Sequence, residues 1–144
     1  MSEARRVDQN LARIAHEVLP EQVGQELRTR MRQLPSRLRG GGLAATYAFL
    51  LSKAKKEPAD ELSRAYRLLA DKIAAHVAQR RLLKSAPPEM DSTAFLAELA
   101  KAKPAEYARA SAEVDALAVW LARLADALRE KPEKRRQGED DGAR

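Results

Sequence analysis

The chain contains no cysteine. That removes disulfide bridges, thiolate nucleophiles and cysteine-ligated zinc, and it fits a reducing compartment. Aromatic residues make up only 4% of the 144 residues and β-branched residues are sparse, which leaves little of the material that strands favour. With only two histidines, the paired imidazoles of a zinc-binding helix are missing as well. The longest uncharged run, GGGLAATYAFLLS, falls well short of a membrane span, which needs roughly 20 apolar residues. The charged start MSEARRVDQN lacks the apolar stretch of a secretory signal. A soluble, cytoplasmic chain without membrane contact is therefore expected.

Alanine and leucine supply much of the 44% hydrophobic content, a composition that favours helix and suffices for one domain with a real core. An all-α, single-domain bundle of about six helices over 1–130 is expected. Val7, Leu11, Ile14, Ala15 and Val18 recur at helical spacing before Pro20. A second helix is expected to start at Pro20, with Glu21 at the positive end of its dipole, and to bend or break at Pro35. Gly40, Gly41 and Gly42 are expected to end it. A short helix from Leu43 then runs through the middle of the domain. Pro58, Asp60 and Glu61 open a longer helix striped with Leu62, Tyr66, Leu69, Ile73 and Val77, ending near KSAPP. Asp91 or Ser92 caps a fifth helix, and a sixth runs from Pro104 to about Glu130. The stretch 131–144 has no large apolar side chain and is expected to be a disordered tail.

Acid is absent from one long stretch. Between Leu27 and Lys56 the charged residues are Arg28, Arg30, Arg32, Arg37, Arg39, Lys53, Lys55 and Lys56. The rest of the chain, the +6 total less these 8, carries −2. Surface helices normally intersperse acids at i,i+4. Concentrated positive charge instead attracts a polyanion, and the forked donors of arginine suit phosphate oxygens. No device for reading base edges is evident, so contacts to a sugar-phosphate backbone are expected.

Little else points to chemistry. His16 and His76 read as boundary or surface histidines. Glu21, Asp60, Glu61 and Glu106 fall in expected first turns, where the helix dipole accounts for them. The glycine run lacks both the preceding strand and the Gly-Lys-Ser/Thr ending of a phosphate-cradling loop. Trp120 and Tyr47 read as core residues, although either could stack on a base. No catalytic residue, metal ligand or cofactor is assigned, and the protein is not expected to be an enzyme.

Leu34-Pro35, Leu38, Gly42-Leu43, Thr46, Ala48-Phe49-Leu50 and Ser52-Lys53 together resemble the signature of the small helical subunit of the type III-B CRISPR effector, the Cmr complex. A second block, EYARASAEVDALAVWLARLADA from Glu106 to Ala127, is similar to the last helix of that family. One departure is Gly41, which stands where the family often has asparagine. The resemblance implies an all-α, non-catalytic subunit that stacks with copies of itself and contacts other subunits of the effector complex. It also implies a basic face that helps hold guide RNA and target RNA.

On these grounds the residues expected to contact the RNA backbone are Arg30, Arg37, Arg39, Lys53, Arg109 and Arg123. Arg109 and Arg123 are close to four helical turns apart and so point the same way. Plainer roles compete: Lys53 suits a helix C-terminus, and Arg109 and Arg123 could pair with Glu113 and Asp126. Two other functions remain open. One is a protein-protein adaptor using an exposed apolar seam, and the other is a helix-turn-helix DNA-binding regulator.

Overall fold

In a computed structural model that describes residues 2–130, three of the six helices begin where the side-chain oxygen of the preceding residue takes one of their unpaired N–H groups. Helix α1 (Glu3–Val18) starts on Ser2, whose Oγ accepts from the Arg5 N–H at 3.2 Å. Helix α4 (Glu61–Gln79) opens with a reciprocal box: Asp60 Oδ1 accepts from the Ser63 N–H at 2.8 Å, and Ser63 Oγ accepts from the Asp60 N–H at 2.9 Å. Helix α5 (Ser92–Lys101) starts on Asp91, which accepts from the Ala94 N–H at 2.7 Å. Helices α2 (Gln25–Gly41), α3 (Leu43–Ala54) and α6 (Pro104–Ala127) complete the set of six. The all-α, single-domain expectation is met. The expected disordered tail, 131–144, lies outside the described residues.

Helices α2 and α6 lie antiparallel along their whole lengths. Arg28 meets Asp126 at one end of the pair, and the turn after Gly41 meets Tyr107 at the other. The buried face of α2 is Leu27, Met31, Leu34 and Leu38, and each such side chain stabilises the fold by about 1.5–3 kcal/mol. Helix α4 packs against α1, α2, α3 and α5. Tyr47 of α3 and Phe95 of α5 make an edge-to-face pair at 4.8 Å beneath it.

Several boundaries differ from the sequence expectation. Pro20 does not open α2, which starts at Gln25 after Gly24. The intervening Val23 is buried and bonds the end of α6, its N–H donating to Leu128 O at 2.8 Å and its carbonyl accepting from the Glu130 N–H at 3.0 Å. The acid in the first turn of α2 is accordingly Glu26, not Glu21. Helix α2 also continues through Pro35. The expected break does not occur, since the donor lost at proline costs less than the burial of the four-residue face gained by continuing along α6. Helix α4 stops at Gln79, and the chain turns at Arg81, whose φ is 53°. Helix α3 packs on α4 and α5 without being enclosed, since Ala45, Ala48 and Ser52 are exposed.

The three glycines divide into two roles. Gly40 and Gly41 lie inside α2, and the turn is made by Gly42 alone, with φ 85° and ψ 167°. That backbone region is essentially closed to side chains. Gly42 offers no cap to α3, and Tyr107 Oη of α6 takes over by accepting from the Ala44 N–H at 2.9 Å.

Candidate nucleic-acid interface

The sharp turn at Gly42 folds α3 back beside α2, and α4 closes the third side. Arg30 and Arg37 of α2, Phe49, Ser52 and Lys53 of α3, and Tyr66 of α4 line a groove of about 420 Å³ between them. The Arg37 guanidinium carbon lies 3.9 Å from the centre of the Phe49 ring, and Lys53 Nζ lies 5.7 Å from it. Both are within cation–π range. Phe49 in turn meets Tyr66 edge to face at 5.9 Å. Burial pushes the Tyr66 phenol up, and the nearby charges of Arg30 and Arg37 oppose that shift.

The groove also holds Glu26, Lys56 and Asp60, where Lys56 donates to Asp60 Oδ2 at 2.7 Å. That ammonium, with the Ser63 hydrogen bonds, holds the Asp60 carboxyl well below the usual range. The Lys56 ammonium is pushed up by the same bond. Arg30, Arg37 and Lys53 form no ion pair among the described residues.

The acid-free segment is less unbalanced in space than in sequence. Arg28 Nε donates to Asp126 Oδ1 of α6 at 2.6 Å, which holds that carboxyl low with added help from Arg32 and Arg129. Arg39 lies within electrostatic reach of the same helix without an ion pair to it. Burial pushes the Asp115 carboxyl up while the charge of Arg39 counters it, and Arg39 also donates to Ser36 Oγ at 3.3 Å. Of the six residues proposed from sequence, the fold thus brings Arg30, Arg37 and Lys53 together and leaves Arg39, Arg109 and Arg123 outside the groove. Arg109 and Arg123 are exposed on α6. Neither takes its expected partner, because Glu113 and Asp126 are claimed from other helices.

His76 overturns its expected surface role. It is 3% exposed, because α4 is covered on several sides and its buried face is wider than one stripe. Arg13 donates to Asn10 Oδ1, which leaves Asn10 Nδ2 to donate to His76 Nδ1 at 3.2 Å. With Nδ1 accepting, the ring proton sits on Nε2 and is donated to Glu113 Oε1 at 2.8 Å. Arg80 adds a two-pronged contact to Glu113 at 3.0 and 2.8 Å and reaches Glu3 at 3.0 Å. Burial pushes the Glu113 carboxyl up, but the bonds from Arg80 and His76 outweigh it and hold the group below its ordinary value. This network joins α1, α4 and α6.

Other expectations resolve individually. His16 is exposed. Tyr47 is fully buried, with its hydroxyl donating to Ala70 O at 2.6 Å. Trp120 is only half-buried: its Nε1 donates to Asp8 Oδ1 at 2.9 Å, and its ring lines a shallow apolar groove with Ala12 and Leu124. Glu106 does more than favour a dipole, for it is buried and accepts from the Lys84 N–H at 2.9 Å, pinning the α4–α5 connection. Among the described residues no helix is long and apolar enough to cross a membrane, and no group of three or more His, Asp or Glu is arranged to hold a metal ion.

The two sequence blocks that suggested a relationship also touch in space, through the Tyr107 hydroxyl and the Ala44 amide. The family profile described as CRISPR-associated protein (Cas_Cmr5) matches residues 2–128. The chain belongs to the Cas_Cmr5 family. Its members are the small subunits of type III-B CRISPR effectors, so this Cas_Cmr5 chain is a subunit of a Cmr complex and associates with the other subunits. No curated protein and no solved structure matches the chain. Phe49 and Lys53 of the groove belong to the signature block, whereas Tyr66 reads from sequence only as one position of the α4 stripe.

Proposed function

We propose that this Cas_Cmr5 subunit is a non-catalytic scaffold that stacks with copies of itself beside the guide-holding subunits and supports the guide and target RNA on a basic face. The observation that carries this reading is that Arg30, Arg37 and Lys53 line one groove, the latter two against Phe49, with no acid paired to any of them among the described residues. Cations already neutralised within a fold have little left to offer a phosphate, whereas these three do. Each donates to phosphate oxygens and selects no base. Arg39, Arg109 and Arg123 extend the positive surface outside the groove and serve the same backbone at other points.

The test is gentle purification of the tagged protein from its native host, followed by analysis of bound proteins and nucleic acid. Short guide RNAs are expected together with a multi-subunit complex. Complexes carrying Arg30→Glu, Arg37→Glu and Lys53→Glu are expected to assemble but to engage target RNA more weakly, most visibly as salt rises. Recovery with one protein partner and no RNA would overturn this reading in favour of the adaptor.

A further inference from the structure

We infer that the Arg37–Phe49 pair is a stacking platform for one unpaired nucleotide of single-stranded RNA, with Arg30 and Lys53 holding its phosphates. This deepens the basic-groove reading and rests on it. Arg37 is exposed although its guanidinium lies at van der Waals distance over Phe49. The guanidinium thus rests against the ring while the side chain as a whole stays open to solvent. Unpaired bases stack readily on guanidinium planes, and an arginine already held by an aromatic ring loses little freedom when a base arrives.

The dimensions and charge of the groove agree with this occupant. About 420 Å³ lies in the roughly 300–1,000 Å³ range of small-ligand sites, so it accepts a nucleotide and not the full width of a duplex. Arg30, Arg37 and Lys53 carry no paired acid among the described residues, and the groove also holds the acids Glu26 and Asp60. Asp60 is already committed to Lys56 and Ser63. A phosphate is accordingly drawn to Arg30 and Lys53, with the base laid over Arg37. A groove that worked by charge alone would have no use for an arginine seated on an aromatic ring.

The full chain is titrated against a short single-stranded RNA carrying one 2-aminopurine, and against a duplex of the same length. The single strand is expected to bind more tightly, with quenching of the 2-aminopurine as it stacks. Arg37→Lys keeps the charge and removes the plane. It is expected to weaken single-strand binding about tenfold and to abolish the quenching, with the salt slope unchanged. Phe49→Leu, which keeps apolar bulk in the core, is expected to act in the same direction, with helicity by circular dichroism confirming the fold. Arg30→Ala with Lys53→Ala is expected to keep the quenching and reduce the salt slope by about 1.4.

If Arg37→Lys binds like the wild type, or the duplex binds as well as the single strand, the platform is overturned while the charged groove stands. No binding by the wild-type chain at low salt also overturns it. The scaffold function is judged separately by co-purification of the complex.

Discussion

Two clusters of arginine and its neighbours occupy different parts of this bundle. In the α1–α4–α6 network, Arg80 is joined to Glu113 and Glu3, and His76 is enclosed between Asn10 and Glu113. In the α2–α3–α4 groove, Arg30, Arg37 and Lys53 are exposed and form no ion pair among the described residues, with Arg37 and Lys53 set against the Phe49 ring. The first cluster spends its charge on holding three helices in register. The second keeps its charge available to something outside the chain. Charge alone does not separate them; pairing does.

The sharpest way to break this contrast is Glu113→Ala, which leaves Arg80 and His76 without their shared acceptor. Glu113 is only 16% exposed and Arg80 30% exposed, so the loss is expected to cost about 2–3 kcal/mol, toward the lower end for a broken buried pair. Arg30→Ala is expected to change stability by less than about 0.5 kcal/mol. Urea denaturation of both variants checks the difference, and equal effects would erase the distinction between the clusters.

A second contrast lies within Gly40, Gly41 and Gly42. Gly42→Ala forces a side chain into a backbone region reserved for glycine and is expected to cost about 1–3 kcal/mol. A Cβ at Gly40 meets nothing within 4 Å, and at Gly41 only Thr46 Oγ1 at 4.0 Å. Both glycines are helical, so alanine at either is expected to stabilise by about 0.5–1 kcal/mol. Thermal unfolding of the three variants should therefore give shifts of opposite sign.

The pH dependence separates the network from the core. The folded Glu113 carboxyl sits below its ordinary value of 4.5, so its contribution is present above that value and is lost as pH falls through the folded one. Burial holds the Tyr47 phenol above its ordinary value of 10.0. Its contribution is complete below pH 10 and declines as pH rises beyond it. Glu113→Gln should flatten the acid limb and Tyr47→Phe the alkaline limb in unfolding curves taken across pH, each leaving the other limb in place.

Much of the bundle was legible because its signals are local. Asp91 caps its helix where a short polar residue precedes a periodic run, and the α1 stripe from Leu11 to Val18 is buried as spaced, whereas Asp60 caps α4 and does not sit in its first turn. What sequence hid was tertiary. Val23 reads as one more apolar position at helical spacing, yet it pairs with the end of α6. His76 reads as a boundary residue because spacing reveals one face of α4, not how many neighbours cover the helix. The basic stretch from Leu27 to Lys56 reads as wholly unpaired because the partner of Arg28, Asp126, arrives from a helix 98 positions further on and that of Lys56, Asp60, lies just past its end. The groove itself was half visible: Arg30, Arg37 and Lys53 were chosen from charge, but Phe49 as a support for Arg37 required the turn at Gly42.

Arg28 gives the smallest expected effect and the finest test of the pairing argument. It belongs to the same acid-free stretch as Arg30 and Arg37, and a count of local charge treats all three alike. Its bond to Asp126 is short at 2.6 Å, but the two side chains are 27% and 46% exposed, and such pairs contribute only about 0.2–1 kcal/mol. Arg28→Ala is therefore expected to lower stability slightly, with the difference shrinking as salt screens the pair. Its charge is already met by Asp126, so RNA binding by the same variant should stay within about twofold of wild type, the roughly 0.3–0.5 kcal/mol within which separate sites act independently. A loss as large as that from Arg37→Lys would mean that RNA competes Arg28 away from α6, and the boundary of the interface would then move along α2 toward Val23.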